Sequence, residues 1–363
     1  MSRLHSRGGG RLGAAVAGLT CAALLAACGS HHSAHTSAGS TPASTAATTP
    51  GTPATTTVHH RAVCPLTGLP APGGVVPHRA ALAIKVGNDP GAWPQSGLDR
   101  ADVVIEEPIE GAMTRLIAVF QCQQAAPVGP VRSTRWTDDQ ILPQFGRAGF
   151  AYAGGVTVEE QLVAASPLVN LNFNVVPGAF YRSSSRYAPE NLYTSTAALW
   201  ADMGSSRTPP KPIFRYGALV PGSRAVSRVT VQFSSFFGVQ WQWNPIRRQW
   251  IRWVNGSIDR TAGGVPEKAA NVVIEDVHTF PGVVEDTNGA QGVNSITVGS
   301  GPLTVLTRGR AITGTWSRSS NLQPARLTAA DGRTIRLAPG VTWIELLSVS
   351  GMVTGSLSLS AGA

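Results

Sequence analysis

The sequence predicts an α+β protein, an N-terminal α/β domain followed by a mainly antiparallel β domain. Three observations predict it. Between residues 63 and 213, short apolar runs are interspersed with helix-start signals. After Pro210-Lys211-Pro212 the pattern becomes period-two alternation broken by turn residues. The chain of 363 residues is 42% hydrophobic but only 13% charged, against roughly 25% in an average domain, which excludes a coiled coil or a long solvated helix.

In the first domain Leu82 to Val86 reads as a strand, and Leu116 to Phe120 as another. Asp102 to Glu106 reads as a strand with Asp102, Val104 and Glu106 on one face. Thr157-Val158-Glu159-Glu160 has the form of a capping box opening a helix through Leu162 and Val163. Ser195 or Thr194 caps a helix through Leu199 and Trp200 that stops at Gly204. A helix from Asp138 toward Phe145 is compromised by Pro143.

In the second domain, residues 214–348, Val229, Val231 and Phe233 alternate. Val239, Trp241 and Trp243 share a face, Asn244-Pro245 turns the chain, and Trp250 to Val254 returns. Val272 to Ile274, Ile296 to Val298 and Leu303 to Leu306 read as further strands. Asp331-Gly332 joins Leu327 to Ile335–Leu337 as a hairpin, and Val341 to Leu347 closes the domain. Residues 349–363 are small and polar and are expected to form a frayed tail.

Residues 1–27 read as an address. Arg3, Arg7 and Arg11 precede the apolar stretch Leu12 to Leu25, which is short for a membrane span. The stretch ends in Leu25-Ala26-Ala27-Cys28, which resembles the lipobox of bacterial lipoproteins. That resemblance implies removal of residues 1–27 and lipidation of Cys28 with palmitate-type acyl chains. The expected location is then the extracytoplasmic face of the cell membrane, with the bilayer as a partner. Losing three Arg lowers the formal charge from +9 to +6. Residues 28–62 are nearly all Ser, Thr, Ala, Pro, Gly and His, a composition that cannot bury a core and predicts a disordered tether. No block of Arg or Lys with interleaved aromatics is present, so nucleic acid is not expected as a partner.

Of eight His, five lie in the tether and His5 in the signal, leaving His78 and His278 in the folded part. A His-based metal site or a Ser-His-Asp triad has little to work with, and no metal or cofactor is expected. Of four Cys, Cys21 leaves with the signal and Cys28 is taken by lipid. The remaining Cys64 and Cys122 are expected to form a disulfide, in an exported chain whose thiols oxidise. Two separate buried thiols are the alternative.

Cys64-Pro65-Leu66-Thr67-Gly68-Leu69, Trp93-Pro94-Gln95-Ser96-Gly97-Leu98, Ala101-Asp102-Val103-Val104, Glu110-Gly111 with Thr114-Arg115, Gly129 to Arg135 and Arg186 to Tyr193 together resemble the YerB-like lipoproteins. Gly314-Thr315-Trp316 and Pro339 to Ile344 resemble that family's second domain. The resemblance implies the architecture and the location, and no reaction. Ala112 and Thr134 depart mildly from the family's pattern.

Arg115, Arg132, Arg135, Arg182 and Arg186 fall on or beside these motifs, with Asp102, Glu106, Glu110 and Asn191 among them. The planar guanidinium suits carboxylate or phosphate, so these residues are candidates for binding an anionic or glycan ligand of the envelope. An internal Arg–Glu network pinning long loops is the competing reading. Arg132 and Arg135 in particular are expected to share a polar site. Glu106 with Glu110 as a glycosidase pair is a further alternative. The Trp-rich hairpin reads as core, with a sugar-stacking platform as its alternative. The order of elements also faintly resembles the LytR-CpsA-Psr glycopolymer transferases, through Leu82–Val86, Asp102, Arg132 and Ala151 to Gly155. That resemblance implies a phosphotransferase, although Arg132-Ser133 stands where the family has Arg-Asp. A ligand-free envelope scaffold is the third possibility. Nothing in the sequence defines catalytic residues or an oligomeric state.

Overall fold

A strand with apolar residues at successive positions must bury both faces, and several strands of this chain are of that kind. The computed structural model describes residues 62–285 and 289–361. The signal segment, Cys28 and the tether through residue 61 lie outside the described residues.

In the first half the strands are β1 (Leu82–Gly87), β2 (Val103–Pro108), β3 (Thr114–Phe120), β4 (Gly149–Tyr152), β5 (Val169–Asn172), β6 (Phe180–Arg182) and β7 (Leu192–Thr194). The helices are α1 (Trp136–Ile141), α2 (Thr157–Ala165) and α3 (Thr196–Ala201). The second half begins with β8 (Arg224–Gln232), β9 (Gly238–Asn244), β10 (Gln249–Val254), β11 (Ser257–Ile258) and β12 (Lys268–Ala269). It continues with β13 (Asn271–Val284), β14 (Gln291–Ser295), β15 (Gly299–Thr307), β16 (Arg310–Arg318), β17 (Arg326–Ala329), β18 (Thr342–Gly351) and β19 (Ser356–Ala361).

One mixed sheet runs in the order β5-β4-β1-β3-β2-β18-β13-β15-β16-β17. It does not stop at residue 213. Its seam is the parallel pairing of β2 with β18, with Val103 opposite Thr342 and Glu106 opposite Glu345. The α/β and β portions expected from the sequence therefore follow one another along the chain but share a sheet. The order β19-β8-β9-β10 forms a second, antiparallel layer, joined to the first where β8 meets β16.

Alternation within the strands divides the core. Ile84, Val104, Ala118, Ile274 and Trp343 face one side, where α3 and the β8–β10 layer cover them. Ala83, Ile105, Ile117, Val273 and Ile344 face the other, under Ile141, Phe145, Phe214 and Ile335. The Trp hairpin is core. Trp241 and Trp250 are fully buried, and Trp241 meets Trp343 edge-on with ring centres 5.2 Å apart.

Four local expectations are corrected. The tail does not fray over residues 349–361: Leu357 and Leu359 alternate, pack on the core, and β19 pairs with β8. Ser-Leu-Ser-Leu-Ser is a strand pattern despite its small residues. The strand expected at Ile296 to Val298 ends at Ser295, because Val293 takes the buried position and Ile296 is exposed. At α2, Val156 rather than Thr157 is the N-cap, and no side chain caps it. Glu159 instead accepts from the Trp136 N–H at 2.9 Å and Glu160 from Asn172 at 2.9 Å. The helix expected from Asp138 starts at Trp136, with the Asp138 carboxylate accepting the Arg135 N–H at 2.7 Å, and it tightens into a 3-10 turn across Pro143. Ser195 caps α3 as expected, accepting from the Ala198 N–H at 3.2 Å.

Cys64 and Cys122 are joined in a disulfide with Cα atoms 6.0 Å apart. It ties the start of the described chain to the turn after β3.

Candidate functional site

The turn Gly129-Pro130 carries the chain back along β1, with the Arg132 N–H donating to Lys85 O at 3.0 Å. This lays Arg132 beside the end of β1, where Gly87 pairs with Arg115 of β3. A Cβ on Gly87 would lie 2.9 Å from Arg132 Cγ, so only glycine lets this side chain cross there. Arg115, Arg132 and Arg135 thus gather at one end of the sheet.

Glu110 sits between two of them. Arg135 grips it bidentately, through Nη2 to Oε1 and through Nε to Oε2 at 2.8 Å, while Arg115 Nη2 is 3.6 Å from Oε1. Arg135 also lies 3.4 Å from Glu285. Arg132 pairs with Glu190 at 3.0 Å and more loosely with Asp89 at 3.8 Å. Arg132 and Arg135 are each paired with acids, on different carboxylates, in an internal Arg–Glu network that flanks Arg115.

Each charge responds to this packing. Burial opposes ionisation of Glu110, but the Arg135 hydrogen bond and the two guanidinium charges outweigh it and hold its pKa at about 2. Burial and the like charge of Arg135 pull Arg115 down to about 10. Arg115 keeps one weak bond, to Ser133 O at 3.4 Å, and its Nε has no partner. Arg132 Nε also lacks one. Burial and the neighbouring Glu285 carboxylate push Glu159 up to about 9, so Glu159 keeps its proton at neutral pH.

The other candidates lie elsewhere. Asp102 is buried at the far end of β2, where Oδ2 accepts the N–H groups of Cys122 at 2.9 Å and Gln123 at 3.4 Å. By strand register it stands about 15 Å from Arg132. The Asp102–Arg132 constellation implied by the transferase resemblance is not assembled. Glu106 is wholly buried and accepts from Asn88 at 3.0 Å, Thr114 at 2.7 Å and Arg252 at 2.8 Å. It belongs to a different network from Glu110, so the two carboxylates do not face a common substrate position.

Arg186 clips a loop, donating to the carbonyls of Gly91, Ala92 and Pro94 at 3.1, 2.8 and 2.6 Å. Arg182 donates to Asn191 Oδ1 at 2.7 Å on the exposed side of the turn between β6 and β7. Among the described residues no three His, Cys, Asp or Glu side chains are arranged to hold a metal ion. No helix among them is long and apolar enough to cross a membrane.

Sequence reasoning missed the acids that complete the site. Glu190 stood within the Arg186–Tyr193 motif and was legible as a partner. Asp89 and Glu285 carried no local signal. It also missed Lys85, a fully buried ammonium bonded to Glu107 and to Asp138 at 2.6 Å. This pair of contacts anchors α1 beneath the Arg loop.

The comparisons with known proteins agree with this architecture. Residues 66–208 match the family model described as "Protein of unknown function (DUF3048) N-terminal domain", and residues 229–344 match its C-terminal domain. The chain is 28% identical over 295 residues to "Putative lipoprotein YerB" of Bacillus subtilis (strain 168), covering 78% of this chain and 85% of that protein. A crystal structure of the YerB protein from Bacillus subtilis superposes with a TM-score of 0.70 at 25% identity, covering 82% of this chain and 99% of that one. With both domain models matched in order and the fold shared over 82% of its length, the chain belongs to the DUF3048 family of proteins of unknown function.

Proposed function

We propose that this chain is an extracytoplasmic lipoprotein, anchored to the membrane through acylated Cys28, that holds an anionic or glycan ligand of the cell envelope at Arg115, Arg132 and Arg135. The observation that carries the ligand reading is Arg115. It is a nearly buried guanidinium with one long hydrogen bond, a shared carboxylate at 3.6 Å and an unpartnered Nε. Such a group is left short of acceptors that an anion would provide. Arg132 stands in front of it, its side chain 20% exposed and its pairing with Asp89 loose enough to exchange.

The location rests on two supports. The relative YerB carries the description of a lipoprotein in its name. The Cys64–Cys122 bridge belongs to an oxidising compartment.

Two experiments test the reading. Metabolic labelling with a fatty-acid probe is expected to mark the wild type and not Cys28→Ala; equal labelling of both would overturn the anchor. Native mass spectrometry of the protein purified from its own envelope is expected to show a bound anionic species that Arg132→Gln loses. An unliganded wild type, or a species retained by the variant, would overturn the site.

A further inference from the structure

Two adjoining cavities lie away from the Arg115 site. One, of about 850 Å³, opens between the segment around Phe214 and the ends of β15–β17. The other, of about 500 Å³, lies beside the turn leading into β4. They share Pro212, Ile213, Gln323 and Pro324 as common wall, so they form one extended groove. The turn at Gly146–Arg147 precedes β4, whereas the Arg115 site lies past its other end, near Gly154.

The charge of this groove is one-sided. Arg215, Arg318 and Arg326 line the larger cavity, and Arg147 and Lys211 the smaller, with no Asp or Glu in either lining. Arg147, Lys211, Arg215 and Arg326 are exposed, and among the described residues none makes an ion pair within 4.0 Å. Arg318 differs: it is 2% exposed, donates to Thr297 O at 2.7 Å, lies 3.8 Å from Glu275, and keeps an Nε with no partner. In a chain where the buried cations of the other site are matched by acids, four exposed cations without an acid partner along one groove, with the buried Arg318 behind them, form a field that concentrates anions. The remaining polar wall is hydroxyl and amide, including Ser300, Ser317 and Gln323, groups that hydrogen-bond sugar hydroxyls or phosphate oxygens. The larger cavity alone is of ligand size.

We infer that this groove binds an extended anionic chain, a polymer whose repeating phosphates or carboxylates run past Arg147, Lys211, Arg215 and Arg326. The site is separate from the one proposed above and does not depend on it. Phosphate and carboxylate are the two sources of this charge, and the probes separate them.

The test uses the mature full-length protein in detergent, titrated at low salt with linear inorganic polyphosphate, with an oligogalacturonate, and with a neutral chitin hexamer. Binding of polyphosphate or oligogalacturonate is expected, with the hexamer inert, and whichever charged probe binds more tightly names the anion. Arg215→Gln with Arg326→Gln, both exposed and therefore compatible with folding, is expected to weaken binding at least about tenfold and to flatten its salt dependence. Arg132→Gln reads out separately any binding of the same probe at the Arg115 site. No binding of either charged probe, or equal binding by the double variant, overturns the inference. Loss in Arg132→Gln but not in the double variant also overturns it, while leaving the Arg115 site standing.

Discussion

Arg252 on β10 donates through Nη2 to Glu106 Oε2 on β2 at 2.8 Å, with both side chains wholly buried. The two residues come from opposite halves of the chain. Arg252 also pairs with Asp259, and Glu345, beside Glu106, accepts the Trp241 indole N–H at 2.8 Å. Burial and the charge of Glu106 raise the Glu345 carboxyl well above its usual range, and the Arg252 guanidinium is the cation that faces this group of acids. Removing it leaves the acids uncompensated in the core.

Arg252→Met is therefore expected to destabilise the protein by about 3–5 kcal/mol in urea unfolding. Adding Glu106→Gln should recover part of that loss, because the two residues act as one unit. Simple additivity of the two losses would show that the pair is not coupled.

The seam between β2 and β18 makes a further expectation. A chain ending at residue 213 lacks β18 and leaves β2 without that parallel partner. It is expected to show no cooperative unfolding transition in denaturant; a sharp transition with native-like circular dichroism would show that the first half folds alone.

Cys64→Ser with Cys122→Ser removes a cross-link between residues 58 apart. The chain-entropy model puts the loss at about 4 kcal/mol. Thermal unfolding should show a lower Tm than wild type under oxidising conditions and an equal Tm once wild type is reduced. Titration of the unfolded, unreduced mature wild type should find no free thiol at these positions.

Glu110 carries a pH dependence of definite sign. Its folded pKa of about 2 lies below the ordinary carboxylate value, so its contribution is present above about pH 4.5 and is lost as pH falls toward 2. The shift corresponds to about 3 kcal/mol at neutral pH. Glu110→Gln is expected to lower stability by that order at pH 7 and by little at pH 2. A difference that stays constant from pH 7 to pH 2 would sink the assignment.

Glu159 has the opposite sign. Its folded pKa of about 9 lies above the usual range, so the native state keeps a proton that the unfolded chain has released. The group's contribution is full below about pH 4.5 and declines as pH rises through 9. Glu159→Gln keeps an oxygen for the Trp136 N–H and needs no proton. Its Tm is expected to match wild type near pH 4 and to exceed it at pH 8–9.

Much of this protein is legible in its residues. Leu82 to Val86, apolar but for Lys85, and the unbroken Leu116 to Phe120 announce strands because such apolar runs have no other use, and Asp331-Gly332 announces a hairpin because the backbone there turns through Gly332 at a φ of 84°. The Cys64–Cys122 bridge followed from counting thiols in an exported chain. That Arg132 and Arg135 are paired rather than free followed from their loop, but not that they meet different acids. Local sequence was silent wherever a partner comes from far along the chain. Glu285 reaches Arg135 across 150 residues, and Glu106 finds Arg252 across 146. Asp102 and Glu106 look alike four residues apart, yet one caps the turn after β3 and the other joins the two halves. The tail looked too small and polar to fold until β8 offered an open edge to its two leucines. The sequence by itself indicated strands such as β1 and β3, the turn at Asp331-Gly332 and the disulfide, because these depend on periodicity, backbone freedom and thiol chemistry. Only the tertiary structure decided which acid meets which arginine and which cations remain unopposed around the groove, because Coulomb energy depends on distance in space and on burial, and neither is written in residue order.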